Sequence, residues 1–127
     1  MLEQVLEMTT NYVKQRKQFG KFIGQFQAIQ HQCADMAMVI EQIRLLTFHA
    51  AWKISRGLDA KKQVAMAKAK ASDAARHVPL RGMTVHGGIG IIDEYDLQLY
   101  FRRAKAREVS FGDADFHRES VAQALGL

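Results

Sequence analysis

The stretch FQAIQHQCADMAMVIEQIRLLTFHAAW, residues 26–52, carries apolar side chains at helical spacing. One stripe, at three- and four-residue steps, consists of Phe26, Ile29, Cys33, Met36, Ala37, Ile40 and Ile43. Met38, Phe48 and Trp52 cover other sides of the same segment. The pattern predicts a long helix from about Gln25 to Arg56. Because so much of its circumference is apolar, we expect this helix either deep in a bundle or shared between a bundle and a second chain.

Helical periodicity also precedes this stretch. Apolar residues recur at three- and four-residue steps over residues 2–13, which predicts an amphipathic helix that ends near Arg16. Gly20 and Gly24 then mark a loop, and no convincing strand is evident there. The long second helix therefore begins after a short basic loop.

A third helix is predicted from about Ala60 into the seventies or eighties. Gly57 is the expected end of the second helix, and Asp59 is the expected N-terminal cap of the third. Pro79 falls late in the third segment. Because proline lacks a backbone N–H, we expect a kink or a restart of the helix near Arg76.

The helical pattern breaks at VHGGIG, residues 85–90, where three glycines fall within four residues. A further helix is predicted from Asp93 to about Arg107; Gly112 breaks the chain again, and Asp113 caps a last short helix. These segments predict an all-α helical bundle. The bare backbone of the glycine stretch suits either a plain helix end or the close approach of an anionic ligand.

Composition limits the classes of function that fit the chain. Its 127 residues, 48% of them hydrophobic, are enough for one domain with a sizeable core. The single Cys33 excludes an internal disulfide, and we expect no secretory signal and no membrane span. The net charge of +5 is spread along the helices, so we expect no nucleic-acid partner. The five histidines lack ligand spacing, so we expect no metal site.

Several short motifs occur in a fixed order along the chain. Arg16-x-x-Phe19-Gly20 is followed by FQAIQ at residues 26–30, HGGIG at 86–90, Glu94-Tyr95, and a basic helix leading to Gly112 and Arg118. Together they resemble the C-terminal helical domain of the acyl-CoA dehydrogenases. The resemblance covers essentially all of residues 1–127. It implies an all-α, up-and-down four-helix bundle with a short extra C-terminal helix. This bundle would be one domain of a longer subunit, without the N-terminal helical domain and the middle β-domain of that family.

The resemblance implies a set of FAD-binding residues. Arg16 would contact the pyrophosphate of an FAD bound mainly by the neighbouring subunit, and Gln27 would belong to the same cross-subunit site. The loop before and through the glycines would pack on the adenosine portion. Thr84 stands where the family often has glutamine, and it reaches less far. The implied cofactor-binding residues are Arg16, Phe19, Gln27, Thr84, Val85, His86, Gly87 and Gly88.

The position of the family's catalytic glutamate is occupied differently here. Aligned without gaps from Glu94-Tyr95, that position holds Phe111, whose ring cannot accept a proton, before the implied substrate-binding Gly112. Three hypotheses follow. The base lies on a helix upstream of Met1, or Asp113 or Asp115 replaces it, or the subunit is non-catalytic or performs related flavin chemistry beside an active chain.

The resemblance also implies an activity and partners. The parent protein would oxidise an acyl-CoA to the 2,3-enoyl-CoA and pass electrons to an electron-transferring flavoprotein. We expect self-association as a dimer or tetramer, and a location in the cytoplasm or, in a eukaryote, the mitochondrial matrix. The domain on its own should be inactive and should bind FAD weakly or not at all. The alternative hypothesis is a non-catalytic helical assembly subunit or module of the same family.

Overall fold

The computed structural model describes residues 1–127 and consists mainly of five α-helices. They are α1 (Leu2–Gln15), α2 (Gln27–Ser55), α3 (Lys61–His86), α4 (Leu97–Val109) and α5 (Ala114–Gln123). A two-stranded antiparallel hairpin, β1 (Lys17–Gln18) and β2 (Lys21–Phe22), and two 3-10 segments, Ile23–Gln25 and Gly87–Ile91, complete the chain. The prediction of an all-α bundle of four main helices with a short extra C-terminal helix is confirmed.

Helix α3 lies at the centre of the bundle and contacts all four other helices. Its close approach to α1 depends on Gly82, where an added Cβ would lie 2.9 Å from Cγ1 of Val5. The main core joins α1, α2, α3 and α4 through Val5, Met36, Ile40, Ala74, Val78 and Leu97. Burial of these apolar side chains provides the main favourable term in folding.

Pro79 does not interrupt α3. The predicted restart near Arg76 is wrong, because α3 continues through the proline to His86. Val78, at 1% exposure, and Pro79 are both buried in the bundle, and Gly82 packs directly on α1. These contacts on both sides of the missing hydrogen bond keep the segment helical despite the low helix propensity of proline.

The connection between α2 and α3 is close to the prediction. Gly57 has a φ of +67°, and its N–H donates to the Ile54 carbonyl at 3.0 Å. The Leu58 N–H donates to the Lys53 carbonyl at 3.0 Å, which completes a Schellman motif. The carboxylate of Asp59 accepts from the Lys61 N–H at 3.0 Å, although the cap residue itself is Ala60.

Helix α2 is not deep in the bundle of a single chain. Only Met36, Ile40 and Ala50 are buried along its 29 residues, so the first of its two predicted placements is wrong. A row of exposed apolar side chains, here called the α2 face, consists of Met38, Leu45, Phe48 and Trp52. Their spacing of seven, three and four residues places them on one side of the helix. None of the five helices combines the length and apolarity that a bilayer crossing requires.

Candidate functional site

The hairpin after α1 is the feature that the sequence pattern missed. Its central residues Phe19 and Gly20 have φ values of +52° and +78°, as a two-residue type I′ turn requires. Strands of two residues carry no readable alternation, which explains why a loop was predicted. Asparagine or glycine normally occupies such a turn, so phenylalanine at a positive φ is an outlier. The Phe19 side chain is 91% exposed at this tip.

Arg16 connects α1 to the hairpin. Its N–H donates to the Tyr12 carbonyl at 2.9 Å, and its own carbonyl accepts from the Ile23 N–H at 2.8 Å. The exposed guanidinium forms no ion pair. Five other arginines do form ion pairs: Arg44, Arg76, Arg81, Arg102 and Arg118. The backbone of Arg16 is therefore fixed, while its charge remains free for an anionic group.

The three glycines after α3 have two different structural roles. Gly87 has a φ of +65° and ends α3, and neither Gly87 nor Gly88 has any heavy atom within 4 Å of an added Cβ. At Gly90, by contrast, an added Cβ would lie 2.8 Å from the Met83 carbonyl oxygen. The first two glycines thus expose bare backbone, and the third is required for packing.

His86 closes the inner side of this region. It is 3% exposed, and its ring stacks on Tyr12 with centroids 4.3 Å apart. Burial lowers the pKa of His86, so the neutral ring is favoured. Nδ1 lies 2.7 Å from the Gly82 carbonyl and donates to it, which leaves Nε2 as a buried acceptor without a partner. The Tyr12 hydroxyl donates to the His86 carbonyl at 3.3 Å.

These elements enclose an open concavity of about 530 Å³, here called the hairpin groove. The structure brings six of the predicted cofactor-binding residues to it: Arg16, Phe19, Val85, His86, Gly87 and Gly88. The remaining lining residues were not predicted as site residues: Tyr12, Gln18, Ile23, Phe26, Ala28 and Ile29. Their helical spacing had assigned Tyr12, Phe26 and Ile29 to the apolar stripes of α1 and α2. Their additional role as lining residues of the groove becomes visible only in the fold, where the end of α1 lies beside the start of α2.

Two predicted residues do not line the hairpin groove. Gln27 is the exposed first residue of α2 and lies between the lining residues Phe26 and Ala28. Thr84 is exposed, and its hydroxyl donates to the Leu80 carbonyl at 2.9 Å. Both remain predictions as cofactor contacts.

The predicted catalytic and substrate positions do not line the hairpin groove either. Phe111, Gly112 and Asp113 lie in the connection between α4 and α5, here called the Phe111 turn (residues 110–113), and Asp115 lies in the first turn of α5. Phe111 has a φ of +61° and is 89% exposed, and Gly112 has a φ of +92°. Asp113 caps α5, as predicted, by accepting from the Phe116 N–H at 2.9 Å. Asp115 pairs with Arg118 at 2.7 Å. Both candidate carboxylates therefore have partners within the chain.

A polar network that no sequence pattern indicated lies beneath the Phe111 turn. Glu108 is 3% exposed, and its carboxylate accepts from Arg76 Nε at 2.8 Å and from Lys105 Nζ at 2.7 Å. Hydrogen bonds from Lys105 and Arg76 hold the pKa of Glu108 below its usual range, against the effect of burial. The Lys68 ammonium donates to the Glu108 carbonyl at 3.1 Å and to the Gly112 carbonyl at 2.8 Å.

Further concavities lie elsewhere on the surface. The largest concavity, about 1180 Å³, lies between the α2–α3 connection and α5 and contains none of the predicted site residues. No three histidine, cysteine or acidic side chains lie close enough together to hold a metal ion. The hairpin groove and the Phe111 turn are therefore the two candidate sites.

Comparison with known proteins shows which family shares this sequence. The family model for the C-terminal domain of acyl-CoA dehydrogenase matches residues 1–126. The L-prolyl-[peptidyl-carrier protein] dehydrogenase of Serratia is 36% identical over 126 residues, which cover 99% of this chain and 33% of that protein. The caffeyl-CoA reductase–Etf complex subunit CarC of Acetobacterium woodii is 33% identical over 120 residues, covering 94% of this chain and 32% of that protein.

The fold of this chain also agrees closely with a solved structure. A solved structure described as the FAD complex of PigA superposes with a TM-score of 0.94 at 36% identity, covering 99% of this chain and 33% of that one. The chain thus spans about a third of the length of these relatives. It belongs to the acyl-CoA dehydrogenase family and corresponds to the C-terminal domain of that family.

Proposed function

We propose that the chain is the C-terminal domain of an FAD-dependent acyl-CoA dehydrogenase-like oxidoreductase. Its part would be to supply FAD contacts across a subunit interface and to build the oligomer core. The observation that carries this proposal is the hairpin groove. There the free cation of Arg16, the ring of Phe19 and the open backbone of Gly87 and Gly88 meet, although about 70 residues separate the two ends of the set.

The residues of the hairpin groove fit a dinucleotide. The Arg16 guanidinium is a permanently charged, forked donor and suits a diphosphate. Gly87 and Gly88 leave room for a ligand to approach the main chain. The exposed Phe19 ring offers an apolar face to a flat group. Gln27, beside the groove, would add an amide that both donates and accepts.

Bound FAD would supply the acceptor for a hydride from the acyl group. The groove residues would hold and orient the cofactor, with no role in proton transfer. The substrate we propose is an acyl-CoA thioester, which would become a 2,3-enoyl-CoA, with electrons passing to an electron-transferring flavoprotein. The similarity to a subunit of a caffeyl-CoA reductase–Etf complex supports a partner of that class.

The Phe111 turn bears on the proton acceptor. Phe111 has no basic atom, and the Asp113 carboxylate already accepts from the Phe116 N–H. Protonation of Asp113 or Asp115 would weaken the α5 cap or the Arg118 ion pair, because each contact is strongest with an ionised carboxylate. These contacts count against Asp113 and Asp115 and support our first hypothesis, a base on a helix upstream of Met1. Replacement by Asp113 or Asp115 stays the second hypothesis, and a non-catalytic subunit the third.

Oligomerisation is the second proposed role. The α2 face exposes four large apolar side chains on one side of a long helix, and such a surface is typical of an interface between chains. Phe48→Arg on this face should lower the sedimenting mass. Arg44→Gln, a change at an exposed position of the same helix, should leave the mass unchanged. A Phe48→Arg protein that keeps the wild-type mass would contradict this role of the face.

A non-catalytic assembly module is the second candidate function. It is favoured by Phe111, which has no basic atom, and by the structural role of Asp113 as the cap of α5. Anaerobic mixing of the FAD-containing complete protein with a panel of acyl-CoA thioesters separates the candidates. Loss of flavin absorbance near 450 nm with one thioester class supports the dehydrogenase; an unchanged spectrum with every thioester supports the assembly module.

A further inference from the structure

Lys68 of α3 uses all three of its ammonium hydrogens within the chain. It donates to the Ser72 hydroxyl, to the Glu108 carbonyl at 3.1 Å and to the Gly112 carbonyl at 2.8 Å. The Ser72 hydroxyl in turn donates to the Glu108 carbonyl at 2.8 Å. No carboxylate pairs with this ammonium in an ion pair. Besides Ser72, its partners are the Glu108 carbonyl in the last turn of α4, where a cation is favoured, and the Gly112 carbonyl beyond the helix.

His117 of α5 holds the other side of the same backbone. Its Nε2 lies 2.8 Å from the Phe111 carbonyl oxygen. Adjacent carbonyls, those of Phe111 and Gly112, are therefore held by side chains of two different helices. Between them Phe111 keeps a φ of +61°, which phenylalanine rarely adopts without support from its surroundings.

We propose that Lys68 is a positioning residue that holds the Phe111 turn in the conformation presenting the Phe111 ring as an apolar wall for the acyl group of the substrate. The ring is 89% exposed although the backbone around it is pinned, so the support serves the outward direction of the ring and not its burial. Strain maintained by a dedicated polar network around an exposed apolar group points to a functional contact. The identity of that contact rests on the proposed function.

The turn itself can be tested by hydrogen exchange in the purified protein. Lys68→Met keeps the length of the side chain and removes the ammonium. Its matched control is Lys70→Met, at a partly buried lysine on the same helix that has no side-chain hydrogen bond. We expect the Phe116 and His117 amides, which bond to Asp113, to exchange about ten-fold faster in Lys68→Met, with α1 and α2 unchanged. The Lys70→Met protein should match wild type.

Either of two outcomes overturns the positioning role. One is unchanged exchange at Phe116 and His117; the other is equal acceleration throughout the chain, which describes a structural residue only. Ser72→Ala keeps the test decisive if Lys68→Met does not fold, because it removes one acceptor and the bond to the Glu108 carbonyl. A smaller acceleration confined to the same two amides is expected for it, and no acceleration contradicts the proposal.

Steady-state kinetics test separately whether the Phe111 ring forms a wall for the acyl group. In the complete protein, Lys68→Met should raise KM for the acyl-CoA several-fold and leave FAD affinity unchanged, because the hairpin groove is not altered. An unchanged KM together with a loosened turn would overturn the assignment of Phe111 as a wall. A wild-type protein whose flavin no thioester reduces contradicts the proposed function instead, while the exchange rates still decide whether Lys68 positions the turn.

Discussion

Two phenylalanine–glycine pairs occupy the two candidate sites, and their supports differ. Phe19-Gly20 has φ values of +52° and +78°, and Phe111-Gly112 has values of +61° and +92°; both rings are about nine-tenths exposed. The first pair is held by the backbone bonds of a two-residue hairpin turn. The second is held by the side chains of Lys68 and His117. Local backbone hydrogen bonds thus hold one turn, and side chains of α3 and α5 hold the other.

This difference makes the second pair the more fragile. An added Cβ at Gly20 meets nothing within 4 Å, so glycine is needed there for its backbone angle alone. At Gly112 an added Cβ would lie 2.6 Å from the Phe116 ring and 3.1 Å from His117 Nε2. Gly112 is therefore required both for its backbone angle and for the space that the pinned turn leaves.

Gly112→Ala gives the largest expected effect. It should lower the free energy of unfolding by about 2–3 kcal/mol, because backbone strain adds to the contact with Phe116 and the displaced His117. Gly20→Ala should cost about 1 kcal/mol, since only the positive φ opposes it. Denaturant unfolding of the two variants measures the difference. Equal losses would mean that the two turns are supported alike.

Acid should weaken the network under the Phe111 turn. The pKa of Glu108 is lowered in the folded state, so its stabilisation is present above the pKa of the unfolded chain and is lost as pH falls through the folded pKa. Glu108→Gln should cost about 1 kcal/mol at neutral pH, a modest value because the partner side chains of Arg76 and Lys105 are 58% and 55% exposed.

Unfolding measured against pH tests this account. The difference between wild type and Glu108→Gln should shrink as the pH falls below the folded pKa of Glu108. The hairpin includes no ion pair, so amide exchange at Ile23, whose N–H bonds to the Arg16 carbonyl, should not acquire this acid dependence. A constant difference at every pH would show that ionised Glu108 contributes nothing.

Replacing either Phe19 or Phe111 by alanine should change stability less than the substitutions above. The two replacements should also have different effects on FAD binding and on substrate binding. Phe19→Ala and Phe111→Ala should each change the free energy of unfolding by about 0.5 kcal/mol or less, because both rings are exposed. Only Phe19→Ala should weaken FAD binding, measured by flavin fluorescence, and only Phe111→Ala should raise KM for the acyl-CoA. Loss of FAD affinity in both variants would mean that both rings belong to one FAD-binding site.

The sequence predicts the helical frame better than the turns. Apolar periodicity locates the helices. Gly57, with a positive φ, ends α2 as predicted, and Asp113 caps α5 as predicted. The restart predicted near Arg76 does not occur, because packing around Pro79, which no local pattern records, keeps α3 continuous. The hairpin is missed because its strands have only two residues each.

The two sites differ in how far the sequence predicts them. The Arg16-x-x-Phe19-Gly20 motif indicates one end of the hairpin groove, because the contributing residues are close together in the chain. The Lys68 network joins residues that are 36 to 44 positions apart, and Lys68, Ser72 and Glu108 each have an ordinary helical interpretation. Only the packing of α3 against α4 and α5 shows that they act together.

FAD affinity of the complete protein, measured for Arg16→Gln against Arg56→Gln, tests whether the hairpin groove binds the cofactor. Both arginines are exposed and lack an ion pair, but only Arg16 lines the hairpin groove. Loss of a charged, forked donor should weaken FAD binding about ten-fold or more in Arg16→Gln. Arg56→Gln should bind FAD as wild type does. Equal FAD affinity in both variants would contradict the assignment of the hairpin groove to the cofactor.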